Sequence, residues 1–300
     1  MTASTGYAIE TAGLTKRFGR NTAVDNLTLK APRGSVFAFL GRNGAGKTTT
    51  IRILLDLLDR TSGEARVLGM DCIRDALDIK RRTGYVAEAQ RMYDWMTVDE
   101  IIWFCKQFYP TWDDSFAADL KRRLELPGDR RVGELSRGMQ GKLSLLLAMA
   151  FRPELLVLDE PTAGLDVVVR HDFLKGVIEL IQEEGRTVFF SSHQVHEVER
   201  VADWVGIIDE GRLIHSSSLE ELKSNVKRIV LTFDTPPKRY EAIPFVLQIE
   251  DSGRQAALTV KGFSEDTLAA ARSLGPKSVE VEDLSLEQIL IALLGRVEVA

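Results

Sequence analysis

Residues 41–49 read GRNGAGKTT and fit the spacing G-x-x-x-x-G-K-[ST]. Each residue type in that pattern has a chemical use. Gly41, Gly44 and Gly46 let the backbone approach an anion closely, the loop amides and a following helix N-terminus supply positive potential, and Lys47 adds a mobile point charge. Thr48 offers a hydroxyl to Mg²⁺, while Arg42, Asn43, Ala45 and Thr49 complete the loop. A second group, Asp159-Glu160, ends the apolar run Leu155-Leu156-Val157-Leu158. Paired carboxylates at a strand end suit a metal-nucleotide site, one acid for the metal and one to polarise water. Many strands end in acids, so this pair gains its meaning from Lys47 upstream. A third candidate is His193, after the run Thr187-Val188-Phe189-Phe190-Ser191-Ser192. A lone histidine in such a place is more often a surface or satisfied one, but this one falls on the strand edge that carries the loop and the acids.

These groups need elements to hold them. Val36-Phe37-Ala38-Phe39-Leu40 reads as a buried strand, and Ile51, Leu54, Leu55 and Leu58 recur at helical spacing, giving the order strand, glycine loop, helix. Residues 9–39 read as short strands broken by turns at 18–21 and 32–34, and 63–70 as a hairpin, which places antiparallel strands around the loop strand. Phe18 has two readings, a core aromatic at a turn or an exposed ring for a purine, and the pattern alone favours the core. Residues 84–87 read as a brief strand. Thr97 and Glu100 form a capping box for a helix whose apolar stripe is Val98, Ile101, Ile102, Cys105 and Phe108. Trp103 lies off that stripe, packed on Trp112 or exposed for a partner. Residues 94–152 form a helical insertion, with a long apolar helix from about Gln140 to Phe151. A helix is expected after the turn at 164–166, and Val205 to Ile208 closes the strand series. From 219 onward, helices and short alternating segments describe a small α+β domain without a catalytic constellation.

The chain has 300 residues, enough for one large or two modest domains, and its composition is that of a soluble globular protein. A net charge of −5 argues against broad nucleic-acid binding. The cluster Lys121, Arg122, Arg123, Arg130 and Arg131 runs the other way, but a solvated helix face is the favoured reading. Cys72 and Cys105 make neither a disulfide framework nor a metal spacing. No apolar run is long enough for a bilayer, and the first ten residues lack a secretion signal, so a reducing cytoplasm is expected.

With Leu135-Ser136-Arg137-Gly138-Met139 just upstream of LLVLDEPTAGLD at 155–166, the order of motifs resembles the ATP-binding subunits of ABC transporters over residues 8–215. The LSRGM form, the glutamate in GYVAE and the closing VEDLSLEQILIALLG resemble more narrowly the ATPases of bacterial ABC-2-type exporters. The resemblance implies an α/β P-loop NTPase of ABC type: a mixed-sheet core, an antiparallel β-subdomain and the inserted helical subdomain at about 94–152. That ATPase domain would cover 1–218, followed by a regulatory or dimerising α+β domain at 219–300.

Position by position, the resemblance implies that Phe18 stacks on adenine, against the pattern reading, and that 41–49 is the Walker A loop, with Lys47 on the phosphates and Thr48 on Mg²⁺. Glu88 stands at the usual Q-loop glutamine, near metal and water. Ser136 and Gly138 would contact ATP held by another subunit. Asp159 becomes the metal acid, Glu160 the catalytic base, Asp166 the D-loop acid at the dimer interface and His193 the switch histidine. Three departures stand out. Arg42 replaces a proline, Arg137 and Met139 replace glycine and glutamine of the commoner LSGGQ, and Glu88 replaces glutamine, with Gln90 near enough to substitute. The implied activity is ATP-driven head-to-tail closure of two copies, or of one copy and a close paralogue, followed by Mg²⁺-dependent ATP hydrolysis that releases the closed dimer. A separate membrane permease would dock on helix 97–109 and the Glu88 loop, placing the chain at the cytoplasmic face of the cell membrane with no nucleic-acid partner. A soluble ABC ATPase acting on ribosomes or nucleic acid is the competing reading, and a P-loop kinase fails because it leaves LSRGM and His193 without a job.

Overall fold

A computed structural model of the chain describes residues 6–88, 91–161, 185–235, 240 and 242–295. The turn at 164–166, with Asp166, the helix expected after it, and Gln90 lie outside the described residues. The chain divides into two compact units, Met1–Ser216 and Ser217–Ala300.

The first unit is organised by a six-stranded sheet of order β11-β10-β4-β9-β8-β7. These strands are β4 (Val36–Leu40), β7 (Thr83–Val86), β8 (Leu155–Asp159), β9 (Thr187–Ser192), β10 (Trp204–Asp209) and β11 (Arg212–Ser218). β10, β4, β9, β8 and β7 pair in parallel. Strands buried on both faces read as unbroken apolar runs, and β4 and β8 are buried at every position. Phe37 and Phe189 lie opposite each other and stack at 5.4 Å, and with Phe39 they anchor the core. Each such ring contributes about 1.5–3 kcal/mol by leaving water. β11 extends the sheet beyond the strand expected to close it. Its only buried residue is Ser217 and its other positions are half-buried or exposed, so it presents no apolar run to read.

The antiparallel strands expected around the loop strand form a separate sheet. β1 (Tyr7–Phe18) pairs with β2 (Asn21–Leu27), β3 (Lys30–Pro32) and β5 (Ser62–Val67), and β6 (Met70–Asp71) follows β5. α1 (Lys47–Leu54) leaves the end of β4, as the spacing predicts, and α2 (Ala76–Arg82) leads into β7.

In the helical segment, α3 (Val98–Lys106) starts with the expected Thr97/Glu100 capping box. It ends before Phe108, which is 62 % exposed rather than part of the buried stripe. Trp103 is 64 % exposed, so its exposed reading holds. α4 (Asp114–Arg123) carries Lys121, Arg122 and Arg123 of the basic cluster as a paired surface, Lys121 with Asp99 and Arg122 and Arg123 with Asp119, while Arg130 and Arg131 are exposed beyond the helix. α5 (Arg137–Met149) begins earlier than Gln140 because Ser136 caps it, accepting the Met139 amide. It packs so close to β7 that a Cβ on Gly84 would fall 2.3 Å from the Ala148 carbonyl oxygen.

The second unit holds a four-stranded antiparallel sheet of order β13-β14-β12-β15, from β12 (Val226–Thr232), β13 (Val246–Asp251), β14 (Gln255–Lys261) and β15 (Ser278–Asp283). Its core gathers Ile229, Leu231, Ala256, Leu258 and Val260 with Ala271 of the helix Glu265–Ser273. Tyr240 donates to Asp251, and burial together with that carboxylate pushes its hydroxyl up to about 12.

Candidate active site

The glycine loop is held at both ends. The Gly41 amide donates to the Ser192 carbonyl at 3.2 Å, and the Gly211 amide donates to the Ala45 carbonyl at 3.0 Å. Gly46, the N-cap of α1, has φ 104°, and a Cβ there would sit 2.4 Å from the Ala23 carbonyl oxygen. Only glycine meets both conditions. No side chain caps α1, so its first-turn amides are left for an anion.

Strand register then brings the distant groups to this loop. β4, β8 and β9 are adjacent and parallel, so their carboxyl ends deliver loop, acids and histidine to one edge, where ligands of open α/β sheets bind. Thr48 Oγ1 donates to Asp159 Oδ1 at 3.0 Å, and Ser191 Oγ donates to the same oxygen at 2.7 Å. Asp159 Oδ2 is buried with no hydrogen-bond partner among the described residues. Burial raises the Asp159 carboxyl above the usual range, opposed by its bonds from Ser191 and Thr48 and reinforced by the Glu160 charge. A buried carboxylate with one empty oxygen is suited to a cation.

Glu160 is 7 % exposed and has φ 46°, a left-handed backbone that a glutamate rarely adopts. His193 Nδ1 lies 2.8 Å from its Oε2, and Lys47 Nζ lies 3.0 Å from its Oε1. The lysine contact is coulombic, since Oε1 accepts no hydrogen bond among the described residues, whereas Nζ donates to the carbonyls of Gly41 at 2.7 Å and Arg42 at 3.2 Å.

A cleft of about 270 Å³ opens between these groups. Asn43, Gly44, Gly46 and Lys47 line it from the loop, and Thr48 and Thr49 from the helix start. Glu88, Glu160, His193 and Ala23 close it. Arg42 and Arg137 are exposed, and neither lines the cleft. Phe18 is 49 % exposed at the end of β1, with Lys16 Nζ 4.9 Å from its ring centre, so the core reading is corrected: the ring lies at the surface. Ser136 and Gly138 stand at the start of α5, outside the cleft. Among the described residues, no group of three or more histidines, cysteines or acids could hold a metal by itself. Ser191 was missed by sequence reasoning, because its contacts arise only from the register of β9 on β8.

The family model for ABC transporters matches residues 24–163. The ABC transporter ATP-binding protein YtrB of Bacillus subtilis is 30 % identical over 290 residues, spanning 96 % of this chain and 98 % of the relative. The bacitracin transport ATP-binding protein BcrA of Bacillus licheniformis is 35 % identical, over 73 % of this chain and 72 % of the relative. A solved ATP-binding subunit of an ABC transporter superposes with a TM-score of 0.65 at 25 % identity, over 72 % of this chain and 92 % of that one. The fold class is therefore that of the ABC cassettes. The chain belongs to the ATP-binding proteins of ABC transporters and is an ATP-hydrolysing subunit of that family.

Proposed function

We propose that the cleft is one half of a composite ATP site, completed head-to-tail by Ser136 and Gly138 of a second copy or a close paralogue. The observation that carries this reading is that Ser136 and Gly138 lie outside the cleft lined by Lys47, Thr48, Glu160 and His193, whose Thr48 is bonded to the buried Asp159. Lys47 leaves Glu160 for the phosphates, and the α1 amides and Thr48 orient the terminal phosphoryl. Mg²⁺, bound through Asp159, Thr48 and Glu88, would neutralise phosphate charge. Glu160, freed of Lys47 and held by His193, accepts the proton of the attacking water, so catalysis is positioning plus electrostatics. Asp166 would meet the partner at the interface, and Phe18 would stack on the adenine.

A membrane permease as a separate partner is the second part of this reading. Among the described residues no helix is long and apolar enough to cross a membrane. Trp103, Trp95 and Tyr93 are more than half exposed around α3. Beside them lies a cleft of about 390 Å³ lined by Tyr85, Met92, Cys105 and Tyr109. An exposed aromatic patch next to a groove fits a partner surface. BcrA is named for bacitracin transport, which supports a role in transport; export as the direction and the cytoplasmic face of the membrane as the place rest on the motif resemblance alone. The second unit would regulate or dimerise the ATPase, within domain bounds of 1–218 and 219–300. A ribosome- or nucleic-acid-acting ATPase is not favoured, since YtrB and BcrA are named for transport. Glu160→Gln tests the core of the proposal: it should bind ATP and dimerise while turnover falls about 10²–10⁴-fold, the usual contribution of a general base. Wild-type turnover in that variant would sink it.

A further inference from the structure

One buried hydroxyl touches both acids. Ser191 is fully buried in β9, opposite Asp159 in the parallel register of β8. Its Oγ donates to Asp159 Oδ1 at 2.7 Å and accepts the Glu160 amide at 2.9 Å. A serine hydroxyl has one proton and two lone pairs, so the two bonds coexist and use its only proton.

Two features of the acids depend on those bonds. Ser191 and Thr48 both occupy Oδ1 of Asp159, which leaves Oδ2 as the buried oxygen without a partner. The serine thereby selects which oxygen is left for a cation. Glu160 has its left-handed φ of 46° anchored at the amide by Ser191, while its carboxylate is held by Lys47 and His193. When Lys47 moves to a phosphate, the Ser191 bond is a fixed point that does not depend on the nucleotide.

We propose that Ser191 is a positioning residue for hydrolysis, fixing the carboxylate rotation of Asp159 and the backbone of Glu160 at once. The proposal rests on the reading of Asp159 as the metal acid and Glu160 as the base. Its test compares Ser191→Ala, Ser191→Thr and Glu160→Gln in the full chain. Three quantities are measured: kcat and KM for ATP, ATP binding in EDTA, and Mn²⁺ binding to the ATP-loaded protein by electron paramagnetic resonance.

Ser191→Ala should bind ATP in EDTA as the wild type does and keep its KM. Its kcat should fall about 10–100-fold, the scale of a small misplacement of reacting groups. Its Mn²⁺ affinity should fall about 10-fold, the scale of a lost partner of a metal ligand. Ser191→Thr, which restores the hydroxyl, should recover most of both losses. Wild-type kcat and Mn²⁺ affinity in Ser191→Ala, with Glu160→Gln inactive, would overturn this proposal and leave the site reading standing. Full turnover in Glu160→Gln would remove the site reading itself. Loss of ATP binding in EDTA by Ser191→Ala, or equal impairment of the alanine and threonine variants, would mark a merely structural serine and also overturn the proposal.

Discussion

Gly46→Ala perturbs the phosphate loop at its tightest point. The residue has φ 104°, and an added Cβ would sit 2.4 Å from the Ala23 carbonyl oxygen, a backbone atom that cannot swing aside. A side chain in that backbone region costs about 1–3 kcal/mol, and overpacking costs about 1–3 kcal/mol more. The comparison is Gly44→Ala. Gly44 has φ 83° but nothing within 4 Å of an added Cβ, so it carries the conformational cost alone. Each kcal/mol shifts Tm by about 2–4 °C in a domain the size of the first unit, so Gly46→Ala should lower Tm by about 4–24 °C and Gly44→Ala by roughly half as much. The assay is calorimetry of the full chain, following the transition that ATP shifts, since a ligand bound to the native state raises its Tm. Gly46→Ala should also lose ATP affinity, because the start of α1 must move away from Ala23. Equal Tm and equal ATP affinity in the two variants would refute the close approach of the loop to β2.

Two other perturbations test the scaffold and the docking face. Arg82 donates to both oxygens of Glu154, at 2.5 and 2.8 Å, just before β7 and β8 begin. The Arg82 guanidinium holds the Glu154 carboxyl below its ordinary range against an opposing burial effect, with Arg33 assisting. A depressed folded pKa gives stability that is present above the ordinary carboxylate range and lost as pH falls through the lowered value. The pair is half-exposed, so Arg82→Met should cost about 0.2–1 kcal/mol at pH 7, and the Tm gap to wild type should close at acid pH; a gap independent of pH would refute the pairing. A photo-crosslinker at Trp103 should capture a multi-span membrane protein in native membranes, and labelling of soluble proteins only would count against the docking face.

The sequence made most of the site legible because local chemistry specified it. The apolar run of β4, the glycine spacing and the helical stripe of α1 agree, and Thr97 with Glu100 predicts a capping box that is present. What was not legible depends on neighbours distant in sequence. β11 lacks an apolar stripe, and its place at the sheet edge is set by β10. α5 starts at a polar turn capped by Ser136, where periodicity has nothing to read. Phe18 and Phe108 are aromatic, which by type predicts burial, yet both are exposed. Ser191 reads as an ordinary strand serine until register sets it between Asp159 and Glu160.

The central claim, that each ATP site is shared between two chains, is tested most directly by mixing two inactive variants. Lys47→Ala removes the phosphate-binding charge, and Ser136→Arg should leave ATP binding to the monomer intact but block closure. In a mixed dimer, one site joins both lesions and the other joins an intact loop to an intact Ser136 and Gly138. The account predicts that ATPase activity, absent from either variant alone, reappears on mixing. A mixture as inactive as its components would contradict it.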